Sequence, residues 1–176
     1  LALFDAVLDG APSLKVLHFP TNGWFTRRVV EAAARVRARR PELALIVTVS
    51  VDGPAELHDR IRGRAGSFER ALATWRALRD VPGVDVYLGT TVTPDNRDHL
   101  GALEAALRAA LPDFHPRLWH WNWLQVSEHF FANGHLRGAE GPPEEAGRLV
   151  REHLARRGLP RTAVELMELA FLVNLD

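Results

Sequence analysis

Apolar residues recur along this chain in two rhythms. Four runs, Leu14 to Phe19, Leu43 to Val49, Val84 to Val92 and Leu118 to Val126, are continuous or alternate with period two between turn residues, and each predicts a β-strand. Between them the spacing changes to the helical one. Phe25, Val29, Ala32 and Val36 share one face, as do Phe68, Ala71, Leu72 and Trp75, and then Leu100, Leu103 and Leu107. Asn96 is placed to cap a helix, Pro143 to open one and Gly158 to close it. Thr162 with Glu165 fits a capping box ahead of an apolar helix from Val164 to Val173. With a short helix from Leu3 to Leu8 in front, the order is one helix, four βα units and a final helix. That alternation implies parallel strands joined by right-handed crossovers, in an open doubly wound sheet or in an arc of a barrel. The longest Gly/Pro-rich stretch, Gly134 to Pro143, is short enough for a surface loop, so residues 1–176 are expected to form a single domain.

Composition narrows the function classes. With 176 residues, 47% hydrophobic and 25% charged, the chain is long enough for its own core and too apolar for a disordered or fibrous class. Its 22 basic and 22 acidic residues cancel, which removes any whole-domain attraction for nucleic acid or an anionic membrane. No apolar run approaches the ~18 residues of a membrane span, and a cytoplasmic protein is expected. The absence of cysteine excludes disulfides, thiol nucleophiles, thiolate-held zinc and any iron–sulfur cluster ligated by this chain alone. The eight histidines show no metal-binding spacing, so no metal site is expected either. The first residue is Leu and the last lies just beyond an apolar helix, and a segment of a longer protein is expected.

In either parallel architecture the carboxyl ends of the strands build the site. Here those ends are polar: Pro20-Thr21-Asn22-Gly23, Ser50-Val51-Asp52-Gly53, Thr90-Thr91-Val92-Thr93 before Asn96, and Gln125-Val126-Ser127-Glu128-His129. Asn22-Gly23 and Asp52-Gly53 are each also ordinary turn formers. After the second strand, Arg62 is suited to pin a carboxylate bidentately and Ser50 to bond a sugar hydroxyl. His58-Asp59 is a poor hydrolase dyad, because adjacent residues seldom face one another and no nucleophile motif accompanies them. Along the fourth strand Trp119, Trp121 and Trp123 alternate with His120 and Asn122; the wide face is expected to meet helices, aiming His120 and Asn122 toward a ligand. The helix from Phe25 to Arg40 carries six arginines against Glu31, which reads as a solvated outer face.

Taken in order, Leu17-His18-Phe19-Pro20-Thr21-Asn22-Gly23, Val47-Thr48-Val49-Ser50-Val51-Asp52-Gly53, His58-Asp59-Arg60-Ile61-Arg62-Gly63 and Gly66-Ser67-Phe68 resemble the third-to-fourth strand region of radical S-adenosylmethionine enzymes. The spaced set covers Leu14 to about Asn96; beyond it only the βα rhythm continues. The resemblance implies an α/β fold, a partial TIM-like (β/α) barrel from an incomplete (β/α)6 core. It implies S-adenosylmethionine as cofactor, cleaved reductively at a [4Fe–4S] cluster to a 5′-deoxyadenosyl radical that abstracts hydrogen from a substrate, with peptides or proteins as frequent substrates. It further implies that Ser50 lies near the ribose, Arg62 partners the methionine carboxylate, Thr21, Asn22 and Gly23 line the mouth, Asp52 belongs to the cofactor-binding set, and Thr91 and Asn96 face cofactor or substrate; His120 and Asn122, aimed inward by the alternation of the fourth strand, are further candidate substrate contacts. The family's C-x3-C-x2-C loop and glycine-rich G-G-E-P-like loop have no counterpart here and would lie upstream, so this chain alone is expected to be inactive. Two other readings remain open at this stage: a cluster-free α/β enzyme binding a phosphorylated metabolite, and a non-catalytic remnant that binds protein through the Trp-rich strand and His129-Phe130-Phe131.

Overall fold

A computed structural model of the chain describes residues 2–129, 132–136, 143–162, 165–167 and 170. The elements run α1 (Ala2–Gly10), β1 (Val16–Thr21), α2 (Thr26–Arg39), β2 (Ala44–Ser50), α3 (Ala55–Ile61), α4 (Ser67–Arg79), β3 (Val84–Val92), α5 (Leu100–Ala110), β4 (Trp119–Trp123) and α6 (Pro143–Arg157), with short 3-10 turns between some of them. The strands form one four-stranded sheet in the order β1-β2-β3-β4. Adjacent strands are consecutive in sequence throughout. A doubly wound open sheet reverses direction at a switch point, whereas successive βα units of a barrel arc add each strand beside the last. The expected partial (β/α) barrel is the arrangement found.

Two compact units divide the chain, 1–89 and 90–176, with the boundary inside β3. In the first, β1 pairs with β2 in parallel from Val16↔Ala44 to Thr21↔Val49, and β2 pairs with β3 from Leu45↔Val84 to Ser50↔Gly89. Five consecutive residues of β2 are buried, as a parallel strand covered on both faces requires. Leu45, Val47 and Val49 are fully enclosed, each stabilising the fold by about 1.5–3 kcal/mol. α2 contributes Ala32, Ala33 and Val36, and α4, packed against it, contributes Phe68, Ala71, Leu72, Trp75 and Leu78. The helical spacing predicts these faces. It does not predict α3: about two turns are too short for periodicity to show, and the helix is anchored by buried Leu57 and His58. The arginines of α2 are also more engaged than a solvated face implies, because Arg35 and Arg39 bond Asp5 of α1 at 2.7 and 2.9 Å.

The second unit is centred on aromatics. Leu103, Leu107, Leu111 and Trp119 are enclosed, and Trp119 donates its indole N–H to Thr90 Oγ1 at 2.8 Å. β4 ends at Trp123 rather than continuing to residue 126. Its wide face meets α6, as expected: His153 stacks on Trp121 with ring centroids 4.2 Å apart and meets the edge of Trp119 at 5.6 Å. Gly158 closes α6 with a left-handed φ of 76°. Thr162 Oγ1 accepts the N–H of Glu165, the forward half of the expected capping box, while the Glu165 carboxylate accepts the N–H of Arg161. Most of the apolar segment 164–173, and Phe130 and Phe131, lie outside the described residues. Among the described residues no helix is long and apolar enough to cross a membrane.

His153 is fully enclosed, and burial, reinforced by the nearby Arg157 and Arg156 charges and by His120, pushes its imidazole down to about 3. The folded state therefore holds it neutral while the unfolded chain takes up a proton below about pH 6.5. This contribution to stability is complete above pH 6.5 and is lost as pH falls toward 3. Urea denaturation at pH 7 and pH 5 is expected to show a His153-dependent loss of about 2 kcal/mol, and His153→Phe to remove that part of the difference.

Candidate functional site

The exits of β1 and β2 lie side by side in the first unit because their register is in phase, Thr21 opposite Val49. The first exit is a tight turn. Thr21 Oγ1 accepts the N–H of Gly23 at 3.2 Å, and Asn22 Oδ1 accepts that of Trp24 at 3.0 Å. Gly23 has φ 73°, and a Cβ there would lie 2.6 Å from Ala71 Cα of α4. Its carbonyl accepts the Thr74 hydroxyl at 2.6 Å. Gly23 is thus required for strand-to-helix packing, and Thr21 for shaping the turn.

The second exit is built by α3. Buried His58 turns its Nδ1 back to accept the N–H of Asp52 at 2.9 Å, which leaves Nε2 as the protonated nitrogen. Burial lowers its pKa, against an opposing contribution from the Asp52 charge. One turn later Arg62 reaches the same residue, its guanidinium 2.6 Å from Asp52 Oδ2. Asp52 is nearly enclosed while Arg62 remains about one-third exposed, so the pair holds the guanidinium fixed with one edge toward solvent. Asp59 does different work. Its carboxylate accepts the N–H groups of Gly66 at 2.6 Å and Phe68 at 2.9 Å, satisfying donors at the start of α4. Burial raises its pKa, but the bonds to Phe68 and Gly66 prevail and hold the carboxyl below its usual range. His58 and Asp59 therefore form no dyad.

Between the two exits is a cavity of about 230 Å³ lined by Asn22, Trp24, Phe25, Arg62, Arg64 and Ser67. It joins two of the residues picked out above, Asn22 and Arg62. Arg64 lies over the Trp24 ring, 3.6 Å from its centroid. Ser50, at the tip of β2, is half-buried with no hydrogen-bond partner for its hydroxyl among the described residues. Trp24 and Arg64 carry no signal in the sequence, because a tryptophan just past a turn reads as core and Arg64 as one charge among many; Ser67 belongs to the spaced motif set, which gives it no particular role. For Asp52, expected in the cofactor-binding set, the contact the fold provides is the anchoring of Arg62.

The remaining candidates belong to the second unit. Thr91 and Asn122 come together in a cavity of about 340 Å³ with Trp123, Leu124, Gln125 and Asn133. Half-buried His120 is not among its lining residues. Asn96 is buried and committed to its own loop: Oδ1 accepts the N–H of Thr93 at 2.8 Å and Nδ2 donates to the Thr91 carbonyl at 2.9 Å. The expected helix cap does not form, because the side chain turns back toward the strand it follows. Among the described residues no three His, Asp or Glu side chains are arranged to hold a metal.

No protein-family model matches the chain. Over 50 residues, 28% of the chain, it is 46% identical to the AdoMet-dependent heme synthase of Oleidesulfovibrio alaskensis, of which that stretch is 13%. Its fold is similar to solved structures of native anSMEcpe with bound AdoMet and Cp18Cys peptide, at TM-score 0.56, and of hexahistidine-tagged anSMEcpe with bound AdoMet, also at 0.56. Sequence identity to these is 15% and 16%, over 87% of this chain. The matches span 41% and 39% of those chains, so the chain corresponds to less than half the length of its structural neighbours.

Gly23→Ala is expected to destabilise the protein by about 2 kcal/mol or more, through its left-handed φ and its conflict with the α4 backbone. Gly101→Ala, in open space on α5, is expected to stabilise it by about 0.5–1 kcal/mol. Denaturant midpoints of the two variants measured side by side check both signs.

Proposed function

We propose that this chain, related to the radical S-adenosylmethionine enzymes as its spaced motifs and its curated relative indicate, is the part of such an enzyme that holds the amino-acid end of S-adenosylmethionine. The observation that carries this reading is Arg62, clamped by Asp52 and lining a cavity together with Asn22 and Ser67. A fixed guanidinium presenting N–H donors recognises a carboxylate in the plane of its fork, and immobilising it beforehand reduces the ordering cost of binding.

The donor set fits the proposed ligand. About 230 Å³ is below the roughly 300–1,000 Å³ typical of a pocket for a whole drug-sized ligand, which suits one end of the molecule rather than all of it. Arg62 would hold the carboxylate and Asn22 offers an amide. Ser50 has an uncommitted hydroxyl suited to a ribose oxygen. When bound, S-adenosylmethionine supplies a cleavable sulfonium in the complete enzyme. The cluster that reduces it fits nothing here, since the 176 residues include no cysteine, and its thiolates would come from elsewhere in the parent. This chain's own contribution is to bind and orient. A peptide is the substrate class we favour for the parent, in keeping with the peptide bound to one structural neighbour.

Isothermal titration of the chain with S-adenosylmethionine is expected to show saturable binding that weakens roughly tenfold in Arg62→Ala and less in Ser50→Ala, because a charge-assisted pair is stronger than a neutral hydrogen bond. Protection against heat by inorganic phosphate, with none from S-adenosylmethionine, would contradict the reading and favour a phosphate-bearing metabolite.

A further inference from the structure

A second depression, of about 470 Å³, shares Trp24 and Phe25 with the Arg62 cavity but is otherwise lined by Thr26, Arg27, Arg28 and Arg70. Its composition is unusual for a surface with no partner. Phe25 is 56% exposed, an aromatic left in water at the start of a helix. Arg28 sits over the Phe25 ring at 5.4 Å and Arg70 over the Trp24 ring at 4.7 Å. Among the described residues neither arginine is paired with a carboxylate; Arg27 meets Glu31 at 3.8 Å, both well exposed. α2 adds to the positive field: its first turn contains no acidic residue and Phe25 gives it no side-chain cap.

We infer that this face docks an acidic polypeptide segment, with Asp or Glu carboxylates on Arg28 and Arg70 and an apolar side chain against Phe25. The inference deepens the proposed function by assigning a charge class to its peptide substrate, and rests on that reading only for the occupant being substrate. Charge complementarity selects the occupant. The depression is lined by three arginines and no acidic residue, while the protein as a whole is neutral, so the positive field is local and of the dimension of a short segment rather than of a nucleic-acid tract. The guanidiniums rest on aromatic rings, which fixes their planes for bidentate carboxylate contacts and leaves their edges free.

The test is fluorescence anisotropy of the full chain with labelled peptides of equal length: one rich in Glu and Asp around a single Phe, one with each acid replaced by Gln, and one with each replaced by Lys. A single-stranded oligonucleotide is the fourth probe. The acidic peptide is expected to bind tightest, with affinity that falls as salt is added and drops roughly tenfold or more in the double variant Arg28→Glu/Arg70→Glu. Arg70→Lys, which keeps the charge but loses the planar fork stacked on Trp24, is expected to bind with an affinity between those of the unsubstituted chain and Arg70→Glu, separating lost charge from lost folding. Equal binding of the Gln peptide, or acidic-peptide binding unchanged in the double variant, would overturn the inference. So would tighter binding of the oligonucleotide. Titration of the same double variant with S-adenosylmethionine separates the two claims: cofactor binding kept while acidic-peptide affinity is lost supports both. Selective acidic-peptide binding by a chain that fails to bind S-adenosylmethionine would overturn the proposed function and leave the docking surface standing.

Discussion

The N–H of Asp52 donates to the enclosed Nδ1 of His58, and the carboxylate of the same residue receives Arg62 one helical turn further on. Between these contacts α3 has no freedom to swing, since Leu57 and His58 are its buried anchors. Asp59, on the opposite errand, ties the end of α3 to the beginning of α4. A loop leaving a buried parallel strand would ordinarily carry unsatisfied backbone donors and a mobile arginine. Here three polar side chains, those of Asp52, His58 and Asp59, satisfy the donors and immobilise the guanidinium.

That arrangement gives the motif a division of labour. His58 and Asp59 are adjacent and titratable, yet each is spent on backbone N–H groups. Arg62, which the motif singles out among many arginines, is the one that Asp52 presents to a cavity. Asp52 joins the two roles, shaping the loop through its backbone and aiming Arg62 through its side chain. Gly23, across the turn, admits α4 close enough for the cavity wall to form.

How much of this can be read from the chain depends on whether the signal is periodic. The four strands and the long helices repeat their apolar residues often enough to be found, and β2 announces its double burial through an apolar run that only Thr48 interrupts. Ends are less legible: β4 stops at Trp123 because pairing, not hydrophobicity, terminates a strand. α3 is invisible because it is short. At the site, the spaced motif points to Ser50, Asp52 and Arg62 together, but not to the bond joining the last two. Asn96 is legible as a polar residue at a strand end and illegible as a buried one, since its partners are carbonyl and N–H groups of a loop whose course no periodicity encodes. Trp24 and Arg64 are illegible for the same reason.

Arg62 is the residue on which the proposed role depends, as the receiver of the carboxylate end of S-adenosylmethionine. The direct measurement is a titration followed by NMR of the arginine Nε–Hε and backbone amide signals. Saturable shifts of Arg62 Nε–Hε, Asn22 and Ser50 with one common affinity are expected, with little change at Thr91 and Asn122. An unmoved Arg62, or shifts confined to Thr91 and Asn122, would contradict that role.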